Sequence, residues 1–200
     1  MILNFAKCSL IIMTKYKNIF RIEPARLKEW DYSTPWWYYV TVNTKNHIHH
    51  LGKVENEKMI LNDLGMVVET EWLKTKLLRT NVDLDYFIVM PNHFHGIIIL
   101  NPTKSLSNVK TRRGESLQND SFAQFGQPIR NSLSVIINQF KGSVKRWANK
   151  NNYPNFSWQS RFYDRIIRNE KELYNIRKYI EQNPLKWEFE KNKPENIFDF

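Results

Sequence analysis

The chain has 200 residues, 42% of them hydrophobic and 14% aromatic, which is enough for one sizeable core and too much for a chain disordered throughout. Thirty Lys and Arg against twenty Asp and Glu give a formal charge of +10, a balance that favours polyanionic partners. Cys8 is the only cysteine, which excludes an internal disulfide and a multi-cysteine zinc centre and fits a reducing cytoplasm.

The first fifteen residues read as an N-terminal extension. MILNFAKCSLIIM is apolar but broken by Lys7, has no basic start and is too short to span a bilayer, so no membrane partner is expected. Met13 offers a second, more polar start. WWYYVTVN (36 to 43) is a dense aromatic and β-branched run and reads as a strand. HHLGKVENEKMIL comes next as a hairpin or irregular pair, and Asn62 or Asp63 then caps a helix with Leu64, Val68, Trp72 and Leu73 on its buried side. DYFIVM (85 to 90) and HFHGIIIL (93 to 100) are two strands joined by the breaker Pro91-Asn92, the pattern of an antiparallel hairpin. Residues 101 to 128 are poor in large aliphatics and without a period, and read as a flexible loop.

Leu133, Ile136, Ile137, Phe140, Val144, Trp147 and Ala148 then recur at helical spacing, with Lys141, Lys145, Arg146 and Lys150 largely off that stripe. FSWQSRFYDRIIRN supplies one more strand. Asn169 with Glu172 forms a capping-box pattern for a last helix, expected to stop at Asn183 before Pro184. The order strand, helix, strand, strand, helix, strand, with a helix appended, predicts an α+β fold. One ferredoxin-like antiparallel sheet carrying two helices on one face satisfies it with short connections.

Side chains alternate along a strand, so His93 and His95 share one face while Phe94 points to the other. Alone, an HxH is two strand histidines and no more. In EKELYNIRKYIEQNP, Tyr179 and Asn183 are one helical turn apart, beside an apolar stripe of Leu173, Ile176 and Ile180 that can dock next to Ile97 and Ile99. Docking there brings a phenol and an amide toward the two imidazoles. A second HxH, His47-Ile48-His49, lies just after the end of a strand and is the weaker candidate.

MPNHFHGIII, WQSRFYDRIIRNEKEL and IRKYIEQNP, in this order and spacing, resemble the single-tyrosine HUH transposases of bacterial insertion sequences, in particular the REP-associated tyrosine transposases. FRIEPARLKEWDY and WWYYVTVNTKN extend the resemblance to roughly residues 16 to 187, leaving 188 to 200 as a tail. The resemblance implies a divalent metal, Mg2+ or Mn2+, held by His93, His95 and Asn183, with Tyr179 as nucleophile on the C-terminal helix. It further implies cleavage and rejoining of single-stranded DNA beside imperfect hairpins through a 5′-phosphotyrosine, and either a monomer or a homodimer. Lys141, Lys145, Arg146, Arg161, Arg165 and Arg168 are the candidates for DNA-backbone contact, and Trp36, Trp37 and Trp158 are candidate base stackers or core aromatics. Two alternatives are a non-cleaving hairpin-binding protein and a replication initiator or relaxase of the same chemistry.

Overall fold

The computed structural model describes residues 30 to 102 and 131 to 190, and the backbone of 14 to 16 and 19 to 21. Residues 1 to 13, 17, 18, 22 to 29, 103 to 130 and 191 to 200 lie outside the described residues, and with them Cys8 and most of the expected extension (1 to 15), loop (101 to 128) and tail (188 to 200). The chain forms two compact units, residues 1 to 30 and 31 to 200. In the first, β1 (Thr14–Tyr16) pairs antiparallel with β2 (Ile19–Arg21).

The second unit is built on a four-stranded sheet of β3 (Trp37–Asn43), β6 (Val82–Met90), β7 (His93–Leu100) and β8 (Tyr163–Ile166), in the order β6-β7-β3-β8. Every neighbouring pair in it is antiparallel. Between β3 and β6 lie a small hairpin, β4 (Gly52–Glu55) and β5 (Lys58–Leu61), and helix α1 (Asp63–Leu77); α2 (Leu133–Lys150) precedes β8 and α3 (Glu170–Glu190) comes after it. Counting only the sheet strands in chain order, this is the 4-1-3-2 arrangement of the expected ferredoxin-like fold.

Alternation along β7 sorts its residues between two layers. Phe94 faces α1 and α2, where its ring lies 4.7 Å from that of Trp72 and 5.4 Å from that of Phe140. On the opposite face Ile97 packs with Tyr39, Ile176 and Ile180 under α3. Burying two isoleucines such as Ile176 and Ile180 stabilises the docking by about 1.5–3 kcal/mol each. Gly96 is required by the first layer: a Cβ there would stand 2.7 Å from Trp72 Cζ2 and 2.8 Å from the Phe94 ring. Both rings are fully buried and have nowhere to go. Gly96→Ala is therefore expected to cost about 1–3 kcal/mol by overpacking, read as a lower urea midpoint at unchanged slope.

Asn62 caps α1 as expected, its Oδ1 accepting the Gly65 N–H at 2.9 Å. The buried stripe of α1 runs Leu64, Val68, Trp72, Thr75, so Leu73, expected inside, is 47% exposed. The turn after Trp72 reaches the core at 75, and position 73 lies a further ~100° round the helix. The expected stop at Pro184 is also corrected. Proline removes one helical N–H and strains the preceding turn, but here the helix continues through it to Glu190 because the next residues find tertiary partners. Trp187 packs its ring 5.3 Å from His49, and Glu188 Oε2 accepts the N–H of Glu57 at 2.6 Å, in the β4–β5 turn.

Candidate metal and nucleophile site

The face of the sheet under α3 carries the candidate residues. Register places Thr41 of β3 opposite His95 of β7, and Tyr39 two residues along on the same face. Both hydroxyls meet the same ring atom: His95 Nδ1 is 2.7 Å from Tyr39 Oη and 2.9 Å from Thr41 Oγ1. The other ring nitrogen, His95 Nε2, is buried and has no hydrogen-bond partner. An unsatisfied buried nitrogen costs about 1–3 kcal/mol, so its persistence asks for a ligand.

His93 lies 4.5 Å from His95 between ring centroids, and the Asn183 side chain stands beside it. Tyr179 brings its ring to 5.3 Å from that of His95. The tyrosine and the asparagine thus sit against one histidine each, as their one-turn spacing on α3 requires. The azimuth of α3 is fixed from two sides. Ile176 and Ile180 are buried on the sheet, and Arg177 donates to Asp85 Oδ2 from Nε at 2.9 Å and Nη2 at 2.6 Å. Asp85 lies within the register shift of β6 between Leu84 and Phe87, a bulge of the kind that re-aims a side chain.

Burial pushes the His93 imidazole down to about 4, and burial with the neighbouring His93 pushes His95 well below its ordinary value. Both rings are neutral near pH 7, the form in which histidine binds a metal. The folded value lies below the unfolded one of about 6.5, so the unfolded chain takes up protons first as pH falls. Stability is therefore expected to be full above about pH 6.5 and to decline toward pH 4. Thermal unfolding in chelator across that window checks this, and a midpoint that does not move with pH contradicts it.

The residues fit a divalent metal in donor type. Among the described residues no group of three or more His, Cys, Asp or Glu converges, and the buried Asn183 is the side chain beside the two histidines that would supply an oxygen donor. Two imidazole nitrogens and one amide oxygen suit a first-row divalent ion with open positions.

The cationic candidates do not form one surface. The buried Lys141 donates to the carbonyls of Gln159 and Ser160 at 2.8 and 3.1 Å, and Lys145 to those of Phe156 and Pro154, so both tie the 154 to 160 connection to α2. Arg146 is exposed and bonds Ser143, on the helix layer away from the histidines. Arg161 and Arg168 are exposed, while Arg165 pairs with Glu172 at 2.6 Å and lies opposite Tyr39 on the histidine face. Trp158 is a core residue between Phe140 and Phe156, Trp37 packs against the α3 cluster, and the Trp36 indole donates to the Ile167 carbonyl at 2.8 Å.

Sequence reasoning missed the contribution of the residues beyond Pro184. Trp187 lies 5.7 Å from the His93 ring, and Lys186 Nζ stands 5.6 Å over the Tyr179 ring. Lys186 and Tyr179 line an open groove of about 410 Å3 with Lys178, Gln182 and Phe189. The signal was the i, i+7 spacing of Tyr179 and Lys186, hidden by the assumption that the proline ends the helix. The HIHH segment packs around the site without forming its own: His47 Nε2 meets Gln159 Nε2 at 3.0 Å, and His50 sits edge-on to Phe156.

No protein-family model matches the chain. The structure of a REP-associated tyrosine transposase bound to a REP hairpin has the same fold, with a TM-score of 0.51 at 18% identity over 82% of this chain and 74% of that one. No helix among the described residues is long and apolar enough to cross a membrane. An uncharacterised protein of Haemophilus influenzae is 35% identical over 178 residues, 88% of this chain and 95% of its own length. With that identity over nearly the whole of both sequences, the chain belongs to the same family as the Haemophilus influenzae protein.

Proposed function

We propose that this chain cleaves and rejoins single-stranded DNA beside a hairpin, with Tyr179 as nucleophile and a divalent metal, Mg2+ or Mn2+, held by His93, His95 and Asn183. The observation that carries it is the convergence of Tyr179 and Asn183 on two neutral histidines, one of which buries an unpartnered Nε2. The fold neighbour supports the ligand class, since it was solved on a REP hairpin. When bound, the metal supplies Lewis acidity at a scissile phosphate oxygen. Tyr179 Oη attacks phosphorus, the phosphorus to O3′ bond breaks, the phenol proton leaves to solvent and the departing 3′ oxygen takes one up. The 5′-phosphotyrosine conserves the ester, so a 3′-hydroxyl attacking it restores a phosphodiester without an energy source. Asn183 and Tyr179 share one helix, so the nucleophile and one ligand move as a unit.

We assign DNA contact to Arg165 on the histidine face, to the exposed Arg161 and Arg168, and to Lys178 and Lys186 beside the tyrosine, and not to Arg146 on the opposite layer. Lys141 and Lys145 act on the protein's own carbonyls. The test is incubation with a labelled single-stranded oligonucleotide carrying an imperfect hairpin and a single-stranded flank, with Mg2+, with Mn2+ or with chelator. A metal-dependent, denaturant-resistant adduct and a released 3′-hydroxyl strand are expected. Tight hairpin binding without cleavage in either metal would establish the non-cleaving alternative.

A further inference from the structure

Asn92 occupies the turn between β6 and β7, one residue before the first histidine, and is 8% exposed. Its amide bridges two partners: Nδ2 donates to the carbonyl of His47 at 3.1 Å, and Oδ1 lies 2.7 Å from Nδ1 of His93. The first contact orients the second, because an amide whose NH2 meets a carbonyl turns its oxygen toward the imidazole. A carbonyl oxygen only accepts. His93 therefore carries its proton on Nδ1 and presents the lone pair of Nε2.

We propose that Asn92 is a positioning residue that sets the tautomer of His93 and so directs Nε2 to a divalent cation shared with His95 and Asn183. Histidine ligands generally donate their second ring N–H to such a partner, which fixes ring orientation and raises ligand basicity. The arrangement also explains the backbone at 46 and 47, where two non-glycine residues adopt left-handed φ values of 57° and 52°. Conformations of that kind persist where surrounding contacts over-determine them. Here the Thr44 N–H donates to the Asn92 carbonyl at 2.9 Å, its hydroxyl lies between the carbonyls of Ile48 and Asn92 at 2.8 and 3.0 Å, and the left-handed turn aims the His47 carbonyl back at the Asn92 amide. His47 thus serves the site through its backbone oxygen rather than as a ligand. His95 is handled differently, its Nδ1 meeting two hydroxyls.

The proposal rests on the metal-binding reading of the site, and the experiment separates the two. Histidine 15N spectra of the metal-free protein are expected to show His93 as the neutral Nδ1–H tautomer, and an Nε2–H tautomer overturns the proposal. Calorimetric titration with Mn2+ is expected to give binding weakened about 10- to 100-fold in Asn92→Leu, which keeps the volume and removes the acceptor. Asn92→Asp keeps an acceptor for His93 Nδ1 while losing the donor to the His47 carbonyl, so it is expected to keep the Nδ1–H tautomer, and an Nε2–H tautomer in it overturns the proposal. Unchanged affinity and tautomer in Asn92→Leu overturn the proposal; should that variant fail to fold, the wild-type tautomer and Asn92→Asp decide it. A wild-type protein that shows the Nδ1–H tautomer but binds no Mn2+ supports the assignment to Asn92 and overturns the metal-dependent function.

Discussion

Tyr179→Phe is expected to abolish the covalent protein–DNA adduct and to leave hairpin affinity little changed. The substitution removes one oxygen and keeps the ring, whose contacts include the His95 imidazole at 5.3 Å, the Lys186 ammonium at 5.6 Å and the Tyr39–Ile97 cluster. Loss of a nucleophile costs on the order of 10⁶ in rate where it has been dissected, so residual cleavage should fall below detection. Two other tyrosines make the result discriminating. Tyr174 is 64% exposed and lies five residues earlier, about 140° round α3 from Tyr179 at ~100° per residue, so it faces away from Asn183. Tyr163 is the more serious rival: it lies on the histidine face of β8, 6.5 Å from the Tyr39 ring. An adduct that survives Tyr179→Phe and disappears in Tyr163→Phe would move the nucleophile to the strand.

Those parts of the site that periodicity dictates are legible in the sequence. Two histidines at i and i+2 of a strand must share a face, and a tyrosine and an asparagine at i and i+4 of a helix must do likewise. The structure adds that both pairs face each other, which depends on α3 docking over Ile97. The register that puts Thr41 opposite His95 was not legible, because pairing of strands more than fifty residues apart is set by the whole sheet rather than by either strand. Local rules failed where tertiary contacts outweighed them. Pro184 is a helix breaker on its own, yet Trp187 against His49 and His93 holds the next turn in place. Charge was the least informative signal: Lys141 and Lys145 read as phosphate contacts, but their ammonium groups meet backbone carbonyls of the connection to β8.

The second large effect concerns the ligands, and it is read most cleanly without DNA. Mn2+ at 100 times its Kd should stabilise the wild-type protein by about 2.7 kcal/mol, on the order of 5–10 °C for a chain of this size. His95→Ala should remove that shift altogether, since it deletes the one ring nitrogen of the proposed set that is buried without a partner. Asn183→Ala should reduce it and lower cleavage by more than the ~100-fold typical of outer contacts, because it removes the only oxygen donor of the proposed set. His47→Ala is the control. Its ring meets Gln159 and its carbonyl holds Asn92, so the variant keeps the backbone contact and should keep the Mn2+ shift. Loss of the shift and of cleavage in His47→Ala, with both retained in His93→Ala, would move the metal to the HIHH segment.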